Sequence, residues 1–221
     1  MKRNKFLSLI SLSFLGSLFL SGKKKETTDL VTACNDPITP TVPIGPYYKD
    51  EQLKRIDITE DKKGTAIEYM FRVEDKDCKP IQGAIVDIWQ CNTEGHYSDF
   101  DREKTLGEKW LRGYQVTDKN GECKFKSIFP GWYTGRITHL HAKVHLDGKD
   151  ALITNFFFPK EIEEAVFANA SLYPKGINPT TLAQDFELHA DTDTKRRDTL
   201  LMNVTKDKHG NLVGKYTIAL T

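Results

Sequence analysis

The chain has 221 residues and carries 32 Lys and Arg against 31 Asp and Glu, a net charge of +1. That length suits one domain with a sizeable core and crowds two. The balanced charge excludes an overall field that would draw in nucleic acid or an anionic membrane surface, so the expected partner is a small molecule.

In chain order, Met1-Lys-Arg-Asn-Lys5 precedes an apolar run from Phe6 to Leu20. This is a basic segment feeding a hydrophobic one too short to span a bilayer easily. Residues 1–22 therefore read as an export signal, which places the domain in the periplasm or outside the cell. A lipoprotein signal would end in Leu-Ser-Gly-Cys. Here Leu20-Ser21-Gly22 is followed by Lys23, which argues against a lipid anchor. Residues 23–33 are polar and read as a tether, leaving 34–221 as the folded domain. Cys34, Cys78, Cys91 and Cys123 lack the close pairs of a structural zinc site. In an oxidising compartment they allow one or two disulfides, and buried free thiols are the alternative.

Pro37, Pro40, Pro43 and Pro46 forbid a regular helix or central strand between Cys34 and Asp50. That segment is an extended arm, free by sequence to wrap its own domain, to reach a neighbour or to stay loose. Strands are expected at Thr65 to Glu74, Gly83 to Cys91, Glu122 to Ile128, Ile137 to Leu146, Ala151 to Phe158 and Asn211 to Leu220, where β-branched and aromatic residues cluster. The polar, Gly-bearing turns Asp118 to Gly121 and Asp207 to Asn211 read as hairpin connections. Ile162, Ala165 and Val166 give Lys160 to Asn169 the spacing of a short helix. The fold class is all-β: a two-sheet β-sandwich with short helical segments and an extended N-terminal arm.

Along Ile137 to Leu146, the residues Leu140, Ala142, Val144 and Leu146 share one face of a strand, so His139 and His141 share the other. Two imidazoles so placed can bind one metal ion, although polar residues opposite an apolar stripe usually just meet water. Upstream, Phe129 to Arg136 is a tight turn that delivers Tyr133 and Arg136 into the His strand, and Tyr97 follows the strand Gly83 to Cys91. A phenol ionises near pH 10, so a pair of tyrosinate ligands calls for a strongly Lewis-acidic ion, and ferric iron is the usual one. His96 and His145 have no assigned role and are expected at exposed positions.

These segments resemble the intradiol ring-cleavage dioxygenases, the family of catechol 1,2-dioxygenase and protocatechuate 3,4-dioxygenase. The resemblance runs from Cys34 to about Phe158. It rests on Thr39-Pro40 with Gly45-Pro46-Tyr47-Tyr48, on Gly83 to Gln90 leading to Gly95-His96-Tyr97, on Leu111 to Asp118, and on Pro130 to His141. It implies a non-haem Fe(III) centre held by Tyr97, Tyr133, His139 and His141, with Tyr97 permanent and Tyr133 leaving when a catechol chelates. It also implies O2 as co-substrate, a muconate-type diacid as product, and Arg136 as the guanidinium that stabilises the electron-rich ring. Asn155 stands where the family often has Gln, a shorter reach for the same amide. Homo-oligomerisation stays open, but the chain lacks the N-terminal helical domain through which many catechol 1,2-dioxygenases pair. Two alternatives stand beside this one: an exported β-sandwich binding or adhesion module, and a zinc hydrolase, which would want a carboxylate base that the sequence does not reveal.

Overall fold

The computed structural model describes residues 37–188 and 198–221. The segments expected to be the export signal and the tether, and Cys34, lie outside the described residues. Eight strands form two four-stranded sheets. The first sheet has the order β4-β1-β8-β7, built from β1 (Ala66–Glu74), β4 (Glu122–Ile128), β7 (Asn203–Lys206) and β8 (Leu212–Ala219). The second has the order β3-β2-β5-β6, built from β2 (Ile85–Trp89), β3 (Arg112–Val116), β5 (His139–Leu146) and β6 (Lys149–Phe157). The expected β-sandwich is thus the observed architecture, with one short helix, α1 (Lys160–Phe167).

Alternation decides which faces meet. In β1 the side chains of Ile67, Tyr69, Phe71 and Val73 are buried while their neighbours are less so, the period of two that a half-covered strand requires. They pack against Val86, Ile88, Leu140, Ala142, Val144 and Phe156 of the facing sheet, forming one continuous core. Two strands escaped the sequence reading, and each has a reason. Arg112-Gly-Tyr-Gln-Val116 has a Gly inside and a single β-branched residue, and Asn203-Val-Thr-Lys206 is a four-residue edge strand with little apolar signal.

One expected hairpin is corrected. Asp118 to Gly121 joins β3 to β4, which lie in different sheets, so this turn carries the chain across the sandwich. Asp207 to Asn211 does close the β7–β8 hairpin. A tighter hairpin was overlooked: Asp147-Gly148 joins β5 to β6, with φ of 51° and 75°. Two positive φ values in a row are what a two-residue turn matched to strand twist demands, and Asp-Gly meets that demand.

From Pro37 the arm lies on its own domain. Thr39 N donates to Ala219 O at 3.0 Å, Val42 N to Ile153 O at 2.9 Å, and Thr154 Oγ1 to Pro40 O at 2.7 Å. Cys78 is disulfide-bonded, whereas Cys91 and Cys123 are free thiols.

Candidate active site

The arm and three sheet-end segments converge on the four expected donors. His139 and His141 start β5, Tyr97 lies in the loop after β2, and Tyr133 lies in the loop after β4. His139 Nε2 and His141 Nε2 are 3.1 Å apart. Tyr97 Oη stands 3.3 Å from His139 Nε2 and 3.2 Å from His141 Nε2, and Tyr133 Oη stands 3.3 Å from His139 Nε2. Tyr97 is fully buried, both histidines nearly so, and Tyr133 half-buried. At His139 and His141 the polar face of β5 therefore does not meet water, because the arm and the tyrosine loops roof it.

Neighbouring strands orient each ring. Trp89 sits opposite His141 in the β2–β5 ladder and stacks on it with centroids 4.8 Å apart and planes 4° apart. Asn155 sits opposite His141 in the β5–β6 ladder. His139 Nδ1 donates to Ile137 O at 2.6 Å, which leaves the Nε2 lone pair facing the other donors. Tyr47, from the arm, stacks on Tyr97 with centroids 4.0 Å apart and planes 13° apart. Arg112 fixes that lid: it donates to Tyr47 O at 2.8 Å and to Ser98 O at 2.9 Å, tying the arm to the loop that carries Tyr97.

Burial sets the protonation of these donors. It pushes the Tyr97 and Tyr133 phenols well up. It pushes the His139 and His141 imidazoles well down, with Arg136 adding to the effect. Four neutral donors thus face one point, and ionising either phenol there requires a compensating cation.

Arg136 has no exposed surface. Its Nε donates to both carboxylate oxygens of Asp185 at 2.9 Å, and its Nη1 lies 2.7 Å from Glu187 Oε2, close enough to pair charges but too far off line to donate a hydrogen bond. Burial works against its charge, while Tyr133, Asp185 and Glu187 more than restore it, so its pKa lies above the ordinary value. Asn178 Nδ2 donates to Arg136 O at 3.0 Å. Despite its short side chain, Asn155 reaches both sides of the site. With its amide turned to satisfy its neighbours, Oδ1 accepts from Arg136 Nη2 at 2.9 Å and Nδ2 lies 2.7 Å from His141 Nδ1.

Sequence reading placed Tyr97, Tyr133, His139, His141 and Arg136 together, and the fold does bring them together. It missed Asp185, Glu187, Trp89 and Arg112 as parts of the site. Asp185 and Glu187 lie some 50 residues beyond Arg136 in an irregular loop, so no local spacing marks them. His96 is exposed as expected, but His145 is partly covered, with Nδ1 2.9 Å from Asp150 Oδ1. Among the described residues, no group of three or more His, Cys, Asp or Glu is placed to hold a metal. A metal at this centre would need phenolic oxygen among its donors.

The two tyrosine loops touch through glycines. A Cβ on Gly95, at φ +82°, would fall on the Trp132 carbonyl, and one on Gly131 would lie 2.5 Å from Asn92 O. Gly131 N also donates to Asn92 O at 3.1 Å. Gly95→Ala is therefore expected to destabilise the protein by about 1–3 kcal/mol through backbone strain and to part Tyr97 from Tyr133. Thermal unfolding and metal titration check both effects, and an alanine variant with wild-type Tm would contradict the close approach.

A family model described as dioxygenase matches residues 42–171. The chain is 26% identical over 167 residues to a chlorocatechol 1,2-dioxygenase of Rhodococcus opacus, covering 64% of each protein. It is 35% identical over 100 residues to a catechol 1,2-dioxygenase of Pseudomonas sp. (strain EST1001), covering 43% of this chain and 32% of that one. The chain thus spans less than two thirds of the length of these curated relatives. Among solved structures, an intradiol ring-cleavage dioxygenase from Tetranychus urticae superposes with a TM-score of 0.75 at 29% identity, covering 84% of this chain and 94% of that one. Catechol 1,2-dioxygenase from Pseudomonas arvilla C-1 shares the fold, with a TM-score of 0.58 at 23% identity over 82% of this chain and 62% of that one. With its sandwich, its converging tyrosines and histidines and a family model matching more than half its length, the chain belongs to the intradiol ring-cleavage dioxygenase family.

Proposed function

We propose that this protein is a non-haem Fe(III) dioxygenase that inserts both atoms of O2 into a catechol-type substrate and yields a muconate-type diacid. The observation that carries this reading is the convergence of two phenol oxygens and two imidazole nitrogens, linked by four separations of 3.1–3.3 Å, beside a fully buried arginine. Such separations suit donors that share one ion at roughly 2 Å. The donor chemistry also fits: burial disfavours free phenolates here, and a trivalent cation offsets that cost. Tyr97, Tyr133, His139 and His141 are the proposed ligands. When bound, ferric iron supplies the Lewis acidity that ionises these phenols and a chelating catechol, and draws electron density that makes the ring reactive toward O2.

The protein's own residues divide the remaining work. Tyr97 is fully buried and clamped face to face by Tyr47, which supports a permanent ligand. Tyr133 is half-buried and meets Tyr47 and Tyr97 only edge-on, which supports a displaceable ligand that accepts one substrate proton. Arg136, held charged by its carboxylate partners, stabilises the electron-rich ring. Tyr47, Tyr48, Phe100 and Ile44 pack around Trp89 and Tyr97 and supply an apolar flank. We also place the domain outside the cytosol. The basic and apolar N-terminus and the disulfide at Cys78 support that placement.

Purified protein supplied with Fe(III) is expected to bind about one ion per chain and to show a visible tyrosinate charge-transfer band that shifts on adding catechol anaerobically. Admitting O2 should consume one O2 per catechol with the ultraviolet absorbance of a muconate. A colourless protein after iron loading would sink the ferric reading in favour of a non-catalytic module.

A further inference from the structure

Resting on the proposed ring-cleavage reading, one feature of the pocket points beyond it, to which rings are accepted. Gly45, at φ +71°, turns the arm so that its missing side chain faces the site. A Cβ there would meet His141 Cε1 at 3.4 Å and Glu187 Oε1 at 3.6 Å. One small space is thus bounded by a proposed ligand ring on one side and by a carboxylate on the other. Glu187 is anchored there, because its Oε2 pairs with Arg136 Nη1 at 2.7 Å. Both of those atoms are buried without a hydrogen-bond partner, so the ion pair keeps unspent polar capacity beside this space. Arg136 meanwhile faces two carboxylates, Asp185 and Glu187, with its Nη2 engaged by Asn155. Two carboxylates thus face one guanidinium, and Arg136 opposes the rise that burial gives the Glu187 carboxyl.

We propose that Glu187 is a specificity-determining residue that makes the pocket accept catechols with neutral or cationic ring substituents and reject those carrying an anionic one. The physical ground is like-charge repulsion in a water-poor space, where an anionic substituent meets Glu187 and finds Arg136 already paired. Gly45 contributes by leaving the carboxylate uncovered.

The test uses the iron-loaded full chain and a panel whose 4-substituents differ in charge: 4-methylcatechol, 4-(2-aminoethyl)catechol and 3,4-dihydroxybenzoate. Anaerobic dissociation constants are read from the shift of the charge-transfer band, and kcat/KM from O2 uptake. The wild-type chain is expected to bind and turn over the neutral and cationic catechols on the order of tenfold or more better than the benzoate. Glu187→Gln, which keeps the shape and removes the charge, is expected to narrow the neutral-to-anionic ratio about tenfold in both measurements. A wild-type chain that binds the benzoate as well as 4-methylcatechol overturns the proposal, and that arm stands even if the variant fails to fold. A folded, coloured E187Q with an unchanged ratio overturns it equally. A wild-type chain that takes iron and binds none of the three overturns the ring-cleavage reading and this inference with it, a result distinct from indiscriminate binding.

Discussion

Tyr97→Phe is expected to yield a folded protein that no longer holds iron. The substitution removes a single oxygen, which lies 3.2–3.3 Å from both imidazole Nε2 atoms, and leaves the ring to stack on Tyr47. Stability should change by no more than about 1 kcal/mol, the net worth of an ordinary hydrogen bond. Removing a direct donor should exceed the roughly 10–100-fold loss of metal affinity typical when a supporting partner is lost. His141→Ala should lose iron equally, but it also empties the space between Trp89 and Tyr97 and so costs stability as well. Metal analysis, the visible band and thermal unfolding on the same samples separate these effects. Stoichiometric iron with a wild-type band in Tyr97→Phe would remove Tyr97 from the ligand set. Because the buried phenols must give up protons to bind the ion, iron uptake should also weaken as pH falls.

Arg136→Ala is expected to keep the colour and lose turnover by about 10²–10³-fold, the usual scale for removing one preorganised stabiliser of developing negative charge. Arg136 touches no donor atom of the centre directly and reaches His141 only through Asn155, so iron should stay. Stability is a separate matter. Asp185 is as deeply buried as Arg136, and stripping one member of such a pair costs about 3–5 kcal/mol because the other charge is left stranded. For a domain of this size that is a fall in Tm on the order of 10 °C. Asp185→Ala should reproduce the thermal loss. Activity is therefore compared well below the variant's unfolding range, and wild-type kcat in Arg136→Ala at that temperature would show that the guanidinium does not act on the ring.

The two effects arise in parts of the molecule that differ in how visible they are along the chain. A period of two in β1 and β5, Gly-bearing turns and a run of short aromatic strands already point to a sandwich, because side-chain direction in a strand is a local property. His139 and His141 are two residues apart on one strand, and Tyr133 and Arg136 sit in the turn that feeds it, so local geometry alone groups four of the five expected site residues. Tyr97 was added from its place after the strand Gly83 to Cys91, and the resemblance supplied its role. The Asp118 to Gly121 turn shows the limit of local reading: the same turn chemistry serves a hairpin or a crossing between sheets, and only the pairing of β3 with β2 and of β4 with β1 distinguishes them.

By itself, the sequence determined six of the eight strands, the donor types and hence the class of metal they suit. Only the tertiary structure shows which donor is clamped face to face and which is met edge-on. The stack of Tyr47 on Tyr97, the Trp89 and Asn155 neighbours of His141, and the carboxylates that hold Arg136 all come from segments distant in the chain. Contacts of that kind leave no periodic trace, because they depend on how sheets and arm pack and not on the directions that successive residues take.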